Sequence, residues 1–230
     1  MRLGWAVSGA GYTLRGVIGA RRAGVIGSAV VGVIVDRPLE IEDVLSRLRI
    51  PCVRIDPDVR QPDQFHSRIM DFAAEHSMDW MGLTFNRLIS SKVINALSGQ
   101  VFNVHMSLLP TFPGFGSIGK AIRSGVRLTG VTLHLVDSGM DTGPILGQAA
   151  CPVGATDDVI RLGRRLFEAG LPLVLQVVRG IERGELRLLQ SRRPTWSRTD
   201  IAREVGHCFP SIDFDIQEFA NDFCSKIPHL

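Results

Sequence analysis

The sequence predicts an α/β fold built on a mainly parallel, twisted sheet with helices on both faces. Three observations predict it. Apolar runs alternate with helical patterns at short intervals through the first half of the chain. Those runs are nearly continuous rather than alternating apolar with polar, as in strands buried on both faces. A glycine turn, "GAG", follows the first run and opens a helix, as in a strand–loop–helix unit.

The elements follow in order. Leu3–Ser8 reads as a strand and Thr13–Ala23 as a helix. "SAVVGVIVD" (Ser28–Asp36) is a strongly β-branched strand, Glu40–Leu48 a helix and "CVRI" a short strand. Gln61–His76 is a helix with Phe65, Ile69, Phe72 and Ala73 on one face. "MDWMGLTF" is a strand, "SKVINAL" a helix and "VFNVH" a strand, which makes the first half Rossmann-like. From Met106 to Ser117 the prolines and glycines predict an irregular loop that forms a wall of the site. Leu128–Asp137 and Pro144–Val153 then read as an antiparallel pair joined by "SGMDTG". A helix over Thr156–Arg183 is expected to break near Gly170–Pro172, and "ELRLLQ" reads as the last strand. Residues 191–230 read as a short, polar, partly helical appendage, with "SRRPTWSR" a solvated connector.

Composition sets the bounds. With 45% hydrophobic and 21% charged residues the chain belongs with folded globular proteins. A net charge of +3 is too small to argue for a nucleic-acid or membrane partner. No apolar stretch reaches the roughly 18 residues of a transmembrane helix. Cys52, Cys151, Cys208 and Cys224 form no CxxC and no zinc-type spacing with histidine. Reduced thiols, no metal and a cytoplasmic location are the expectation.

Two stretches point to chemistry. "SGAGYTLRG" puts Gly9 and Gly11 before a helix N-terminus, which attracts anions. Asp36 ends the second strand, where a ribose-binding acid sits in a dinucleotide domain. The spacing is not GxGxxG, however. A nicotinamide site, a bare tight turn and a loop for an anionic part of a substrate all stay open. "VFNVH" ends a strand with Asn103 and His105 on the same face, because side chains alternate. An amide and an imidazole there can grip one oxygen, as in an oxyanion hole for acyl transfer. "MDTGP" supplies Asp141 from another loop, where a carboxylate would orient His105 and hold it protonated.

The signature "NVHMSLLP", followed after a loop by "GVTLHLVDSGMDTGPIL", resembles the folate-dependent formyltransferases. That family includes phosphoribosylglycinamide formyltransferase, the catalytic domain of methionyl-tRNA formyltransferase, and sugar N-formyltransferases. The resemblance covers roughly residues 1–190, strongly from Gly82 to Val153, and implies a formyltransferase catalytic domain there. It implies 10-formyltetrahydrofolate as formyl donor. Asn103 and His105 would stabilise the oxyanion formed when an amine attacks the formyl carbon, and Asp141 would assist proton transfer. Phe85, Arg87, Leu88 and Ile89 would border the folate pocket, with Val136, Asp137, Gly139 and Asp141 closing its other side. Ser107 and the Leu108–Pro110 turn would support the site. His134 matches a family histidine, and its apolar neighbours give it a structural role.

The acceptor is less determined. Gly9, Gly11, Tyr12, Thr13 and Ser107 are its candidate contacts. The purine enzyme usually has Gly-x-Gly-Ser-Asn where this chain has "GAGYT", and Glu168 is displaced by one position when Pro172 is aligned. The residues after the catalytic region are too few for the nucleic-acid barrel of the tRNA enzyme. The expected acceptor is therefore a small-molecule amine: an amino sugar, free or nucleotide-linked, or another metabolite amine. Glycinamide ribonucleotide is the alternative within the family. A folate deformylase, a non-catalytic folate-binding protein and a dehydrogenase are the alternatives beyond it. The deformylase usually carries an extra N-terminal regulatory domain, whereas this chain opens on its first strand.

Overall fold

The computed structural model describes residues 1–57, 60, 62–189, 193–197 and 208–227. Its centre is an eight-stranded sheet. The chain runs β1 (Arg2–Val7), α1 (Tyr12–Arg22), β2 (Ala29–Val35), α2 (Ile41–Arg47) and β3 (Cys52–Arg54). It continues through α3 (Pro62–Glu75), β4 (Trp80–Thr84), α4 (Ser91–Ala96) and β5 (Val101–His105). These five strands pair in parallel, in the order β5-β4-β1-β2-β3. The chain builds outward from β1 to β3, then returns to the other side of β1. The crevice at this reversal lies at the carboxyl ends of β1 and β4, where open α/β sheets hold their ligands.

The second half is antiparallel, as its sequence predicts. After α5 (Ser117–Ser124), β6 (Leu128–Leu135) pairs with β5 and β7 (Ile145–Pro152) pairs with β6. α6 (Val159–Glu182) packs on β6 and β7. One sheet face carries Trp5, Val33, Phe102, Leu133 and Leu135, all fully buried beneath α1 and α6. The other carries Ile34, Met81 and Val101 beneath α3 and α4. Gly82 lets the first face close: a Cβ there would lie 2.6 Å from the Trp5 ring and 2.9 Å from Phe102.

The irregular loop after β5 ends where the sequence predicts, at Ser117, where α5 starts behind a left-handed Gly116. Two expectations about the elements are corrected. α6 does not break at Gly170–Pro172. A Cβ on Gly170 would come 3.2 Å from Val131, so this glycine brings the helix against β6. Every residue from Gly170 to Gly180 is buried, and that burial offsets the backbone bond a helical proline gives up. "ELRLLQ" contains β8 (Leu186–Leu188), but among the described residues β8 pairs with β9 (Pro194–Trp196) in a separate two-stranded sheet. A later strand, β10 (Cys208–Phe209), runs antiparallel to β7 at the edge of the main sheet.

The described part of "SRRPTWSR" is anchored rather than solvated. The Trp196 indole N–H donates to the Leu146 carbonyl at 2.9 Å, and its ring lies over Gly180. The rest of that stretch lies outside the described residues. α7 (Phe214–Ser225) packs on α6 and α1. A buried Arg179 ties these parts together. Its guanidinium donates to Asp213 Oδ2 at 3.0 Å, to both Asp215 oxygens, and to the Val25 carbonyl.

Arg179→Ala removes the donor that Asp213, Asp215 and the Val25 carbonyl share. It is expected to destabilise the protein by about 3 kcal/mol in urea unfolding. A loss below about 1 kcal/mol would show that α7 does not depend on this arginine.

Candidate functional site

A pocket of about 740 Å³ opens at the carboxyl ends of β4 and β5. Its walls are the β4–α4 loop, the segment from Gly114 to Ser117, and the β6–β7 loop. Asn103, His105 and His134 form its floor. In the β5–β6 register Asn103 opposes His134 and His105 opposes Thr132, so all four side chains share one face. On the other face Phe102 and Val104 enter the core.

Asp141 reaches this floor from the β6–β7 loop, with a left-handed backbone (φ 57). Its Oδ2 lies 3.2 Å from His105 Nδ1 and accepts the Gly114 N–H at 2.7 Å. Its Oδ1 lies 3.4 Å from His134 Nε2. The His134 contact, then the Gly114 amide and the charge of His105, outweigh burial and hold the Asp141 carboxyl down to about 2. His134 Nδ1 is 2.9 Å from the Leu135 carbonyl and Nε2 is 3.3 Å from Asn103 Nδ2. The histidine given a structural role by its apolar neighbours thus bridges the amide and the carboxylate. Only the antiparallel register reveals this.

His105 meets oxygen on both sides, with Nε2 3.0 Å from the Phe112 carbonyl and Nδ1 facing Asp141. Both contacts are hydrogen bonds only when both nitrogens carry protons. Burial opposes that charge more strongly than Asp141 and Phe112 support it, so the pKa of His105 falls below its ordinary value. Asp141 does raise it, but the expectation that the carboxylate holds His105 protonated is corrected, because desolvation exceeds its pull. The ring sits between two proton-favouring contacts and a dry environment, a setting suited to taking and giving a proton.

The loop after β5 is fixed by named bonds. Thr132 Oγ1 donates to the Ser107 carbonyl at 2.7 Å and accepts the Leu109 N–H at 3.0 Å. Gln148 Nε2 donates to the Leu109 carbonyl at 2.9 Å. Ser107 Oγ donates to the Thr111 carbonyl at 2.5 Å and is fully buried. Ser107 thus supports the loop and lies off the pocket wall.

The remaining candidates divide. Phe85, Arg87, Leu88 and Ile89 line the pocket on one side, and Val136, Asp137, Gly139 and Asp141 on the other. Phe85 stacks on Phe65, and Leu88 is 64% exposed at the mouth. Arg87 Nε donates to Asp36 Oδ2 at 2.7 Å, and Arg37 holds both oxygens of the same buried carboxylate. Asp36 is thereby committed to arginines, where a dinucleotide site would present it to a ribose. Gly9 lines the pocket, whereas Gly11, Tyr12 and Thr13 lie off its wall. Gly11 takes the left-handed cap of α1, Tyr12 packs on Phe167, and Thr13 is buried. Phe115, Gly116 and Ser117, in the Pro/Gly loop, and Met140, in the β6–β7 loop, also line the wall, and the sequence reading missed His66 and Met106. Among the described residues no cluster of potential metal ligands occurs and no helix is long and apolar enough to cross a membrane.

The formyl transferase family model matches residues 1–178. Phosphoribosylglycinamide formyltransferase of Bacillus subtilis is 32% identical over 157 residues, covering 65% of this chain and 80% of that protein. Its Mycobacterium tuberculosis counterpart is 35% identical over 168 residues, covering 72% and 77%. The crystal structure of glycinamide ribonucleotide transformylase 1 from Symbiobacterium toebii superposes with a TM-score of 0.79 at 30% identity, covering 85% of this chain and 93% of that one.

The cluster fixes the sign of one titration. By NMR, the His105 midpoint is expected below the ordinary 6.5. Asp141→Asn is expected to lower it further by removing the carboxylate that favours the imidazolium. A midpoint above 6.5, or an upward move in the variant, would contradict the geometry.

Proposed function

The chain belongs to the formyl transferase family, and from that premise we propose that it moves a formyl group from 10-formyltetrahydrofolate to the primary amine of a small molecule. The observation that carries the reading is the convergence of Asn103, His105 and Asp141 at the floor of one pocket. The folded pteridine and its formyl-bearing nitrogen would lie between the Phe85–Ile89 wall and the Val136–Asp141 loop. The amine attacks the formyl carbon, forming a C–N bond and an oxyanion. Asn103 Nδ2 would hydrogen-bond that oxygen, and a protonated His105 would join it by exchanging its contact with the Phe112 carbonyl. The ammonium formed on attack passes its proton toward Asp141, directly or through one water. Collapse breaks the bond to the folate nitrogen, which takes up the proton released by the amine, so that the products are the formamide and tetrahydrofolate and Asp141 is again ionised.

The names of the relatives favour a more specific acceptor, glycinamide ribonucleotide. The local structure favours a broader class. Tyr12 packs against Phe167, with ring centroids 6.0 Å apart, beside the α1 N-terminus where the purine enzyme's phosphate loop is expected.

Tetrahydrofolate release from 10-formyltetrahydrofolate, followed with and without candidate amines, tests the reaction. Release should require an amine, with glycinamide ribonucleotide and amino-sugar nucleotides as the first acceptors tried. Release without any amine would replace the transferase reading with hydrolysis. Asn103→Ala, His105→Ala and Asp141→Asn should each lower turnover by about 10²-fold or more while leaving circular dichroism unchanged. Near-normal turnover in any of them would remove that residue from the mechanism.

A further inference from the structure

Two consecutive peptide groups of the loop between β5 and α5 face the site, and one of them is held at both ends. The Phe112 carbonyl lies 3.0 Å from His105 Nε2. The next peptide, Pro113–Gly114, gives its N–H to Asp141 Oδ2 at 2.7 Å. The carbonyl of that same peptide accepts the Lys120 ammonium at 2.6 Å. The N–H and C=O of a planar trans peptide point in opposite directions. A cation and a carboxylate therefore grip one peptide dipole from its two ends.

The backbone permits this orientation without enforcing it. Phe112 and Gly114 both lie in the left-handed region, at φ 52 and 75. Gly114 is required there, since a Cβ would come 2.7 Å from Met140 Sδ. Glycine accepts many backbone angles at little cost, so a peptide next to it is free to turn over. Turned over, the Pro113 carbonyl would meet the Asp141 carboxylate, and the Lys120 contact opposes that. Lys120 is carried by α5, which Ala121, fully buried, anchors to the core. Lys120 itself lies off the pocket wall, so it acts through its neighbours.

The charges around the two acid–base groups give this contact a consequence. Burial lowers the His105 pKa most. Asp141 and the Phe112 carbonyl oppose it, and the charges of His134 and Lys120 add to it. For Asp141 the His134 contact lowers the pKa most and burial opposes it, while the Gly114 amide and the charges of His105 and His134 lower it further.

We propose that Lys120 is a positioning residue of the site: its ammonium fixes the Pro113–Gly114 peptide with the N–H toward Asp141, and its charge acts on His105. The assignment rests on the formyltransferase reading and adds a residue that tunes the proton-handling pair without touching substrate.

The test follows the Asp141 carboxyl by carbon-13 NMR and the His105 ring by proton NMR, in the full chain without substrate. In Lys120→Met both midpoints should rise, Asp141 by about half a pH unit as its amide contact weakens, and His105 because a like charge is gone. Lys120→Arg should restore both. A loop that merely loosened would also raise Asp141 but would lower His105, which then loses the two oxygens that favour its proton. Unmoved midpoints, a fall at His105, or no restoration by arginine would overturn the assignment. Lys120→Gln is the second uncharged variant, and failure of both to fold would make Lys120 a folding residue and overturn it as well. With an amine that supports tetrahydrofolate release, turnover should drop about three- to tenfold in Lys120→Met and recover in Lys120→Arg; unchanged turnover would overturn the assignment. If the midpoints move as stated but no amine supports release, the formyltransferase reading falls and the Lys120 contact stands. If release occurs and the midpoints stay, only the Lys120 assignment is lost.

Discussion

The Asp141 carboxylate is the constraint on which the site depends. It accepts a backbone amide from the loop after β5 and faces two histidines from two antiparallel strands. β5 with the loop after it, β6, and the β6–β7 loop therefore meet at one charge. That charge survives partial burial because each partner favours the ionised form. The same contacts fix the orientation of His105 and His134, and through His134 the amide of Asn103. Asp141 and Phe112 both adopt left-handed backbone, at φ 57 and 52. Such conformations persist in non-glycine residues where the surroundings enforce them, and here both residues present an oxygen to His105.

The sheet explains why the charge can be placed there. The parallel half provides the reversal between β1 and β4, where the carboxyl ends open a crevice. The antiparallel half adds β6 beside β5, so a histidine from one strand lies opposite an asparagine from the other. A wholly parallel sheet would bring a helix crossover after β5 and no such pairing. Thr132 and Gln148, on β6 and β7, also hold the loop that carries the Phe112 carbonyl. The antiparallel extension thus supplies a partner for Asn103 and a clamp for the loop.

Much of this was legible in the sequence, because strand alternation is a local property. Asn103 and His105 share a face by spacing alone, and the β-branched run of β2 announces a buried strand. What stayed hidden depends on partners distant in the chain. His134 sits among apolar residues, and only its register with Asn103 gives it a polar neighbour. Ser107 belongs to the same signature as Asn103 and His105, yet its hydroxyl turns inward to Thr111. Pro172 signals a break by its chemistry, and the burial that carries α6 through it comes from β6 and β7. The balance on His105 was equally unreadable, since burial and a neighbouring carboxylate act in opposite directions and only coordinates weigh them.

The most direct test of the central claim is the ionisation of Asp141 itself. Carbon-13 NMR of the aspartate carboxyls, with the Asp141 signal identified by its loss in Asp141→Asn, would follow that one group. Its pKa is depressed, so the stability it contributes is present above the ordinary carboxylate range and is lost as pH falls toward about 2. The account predicts that the signal stays that of an ionised carboxylate from pH 7 down to about 3. A midpoint near the ordinary value of 3.8 would show that the two histidines and the Gly114 amide do not hold the charge, and the site as described would not exist.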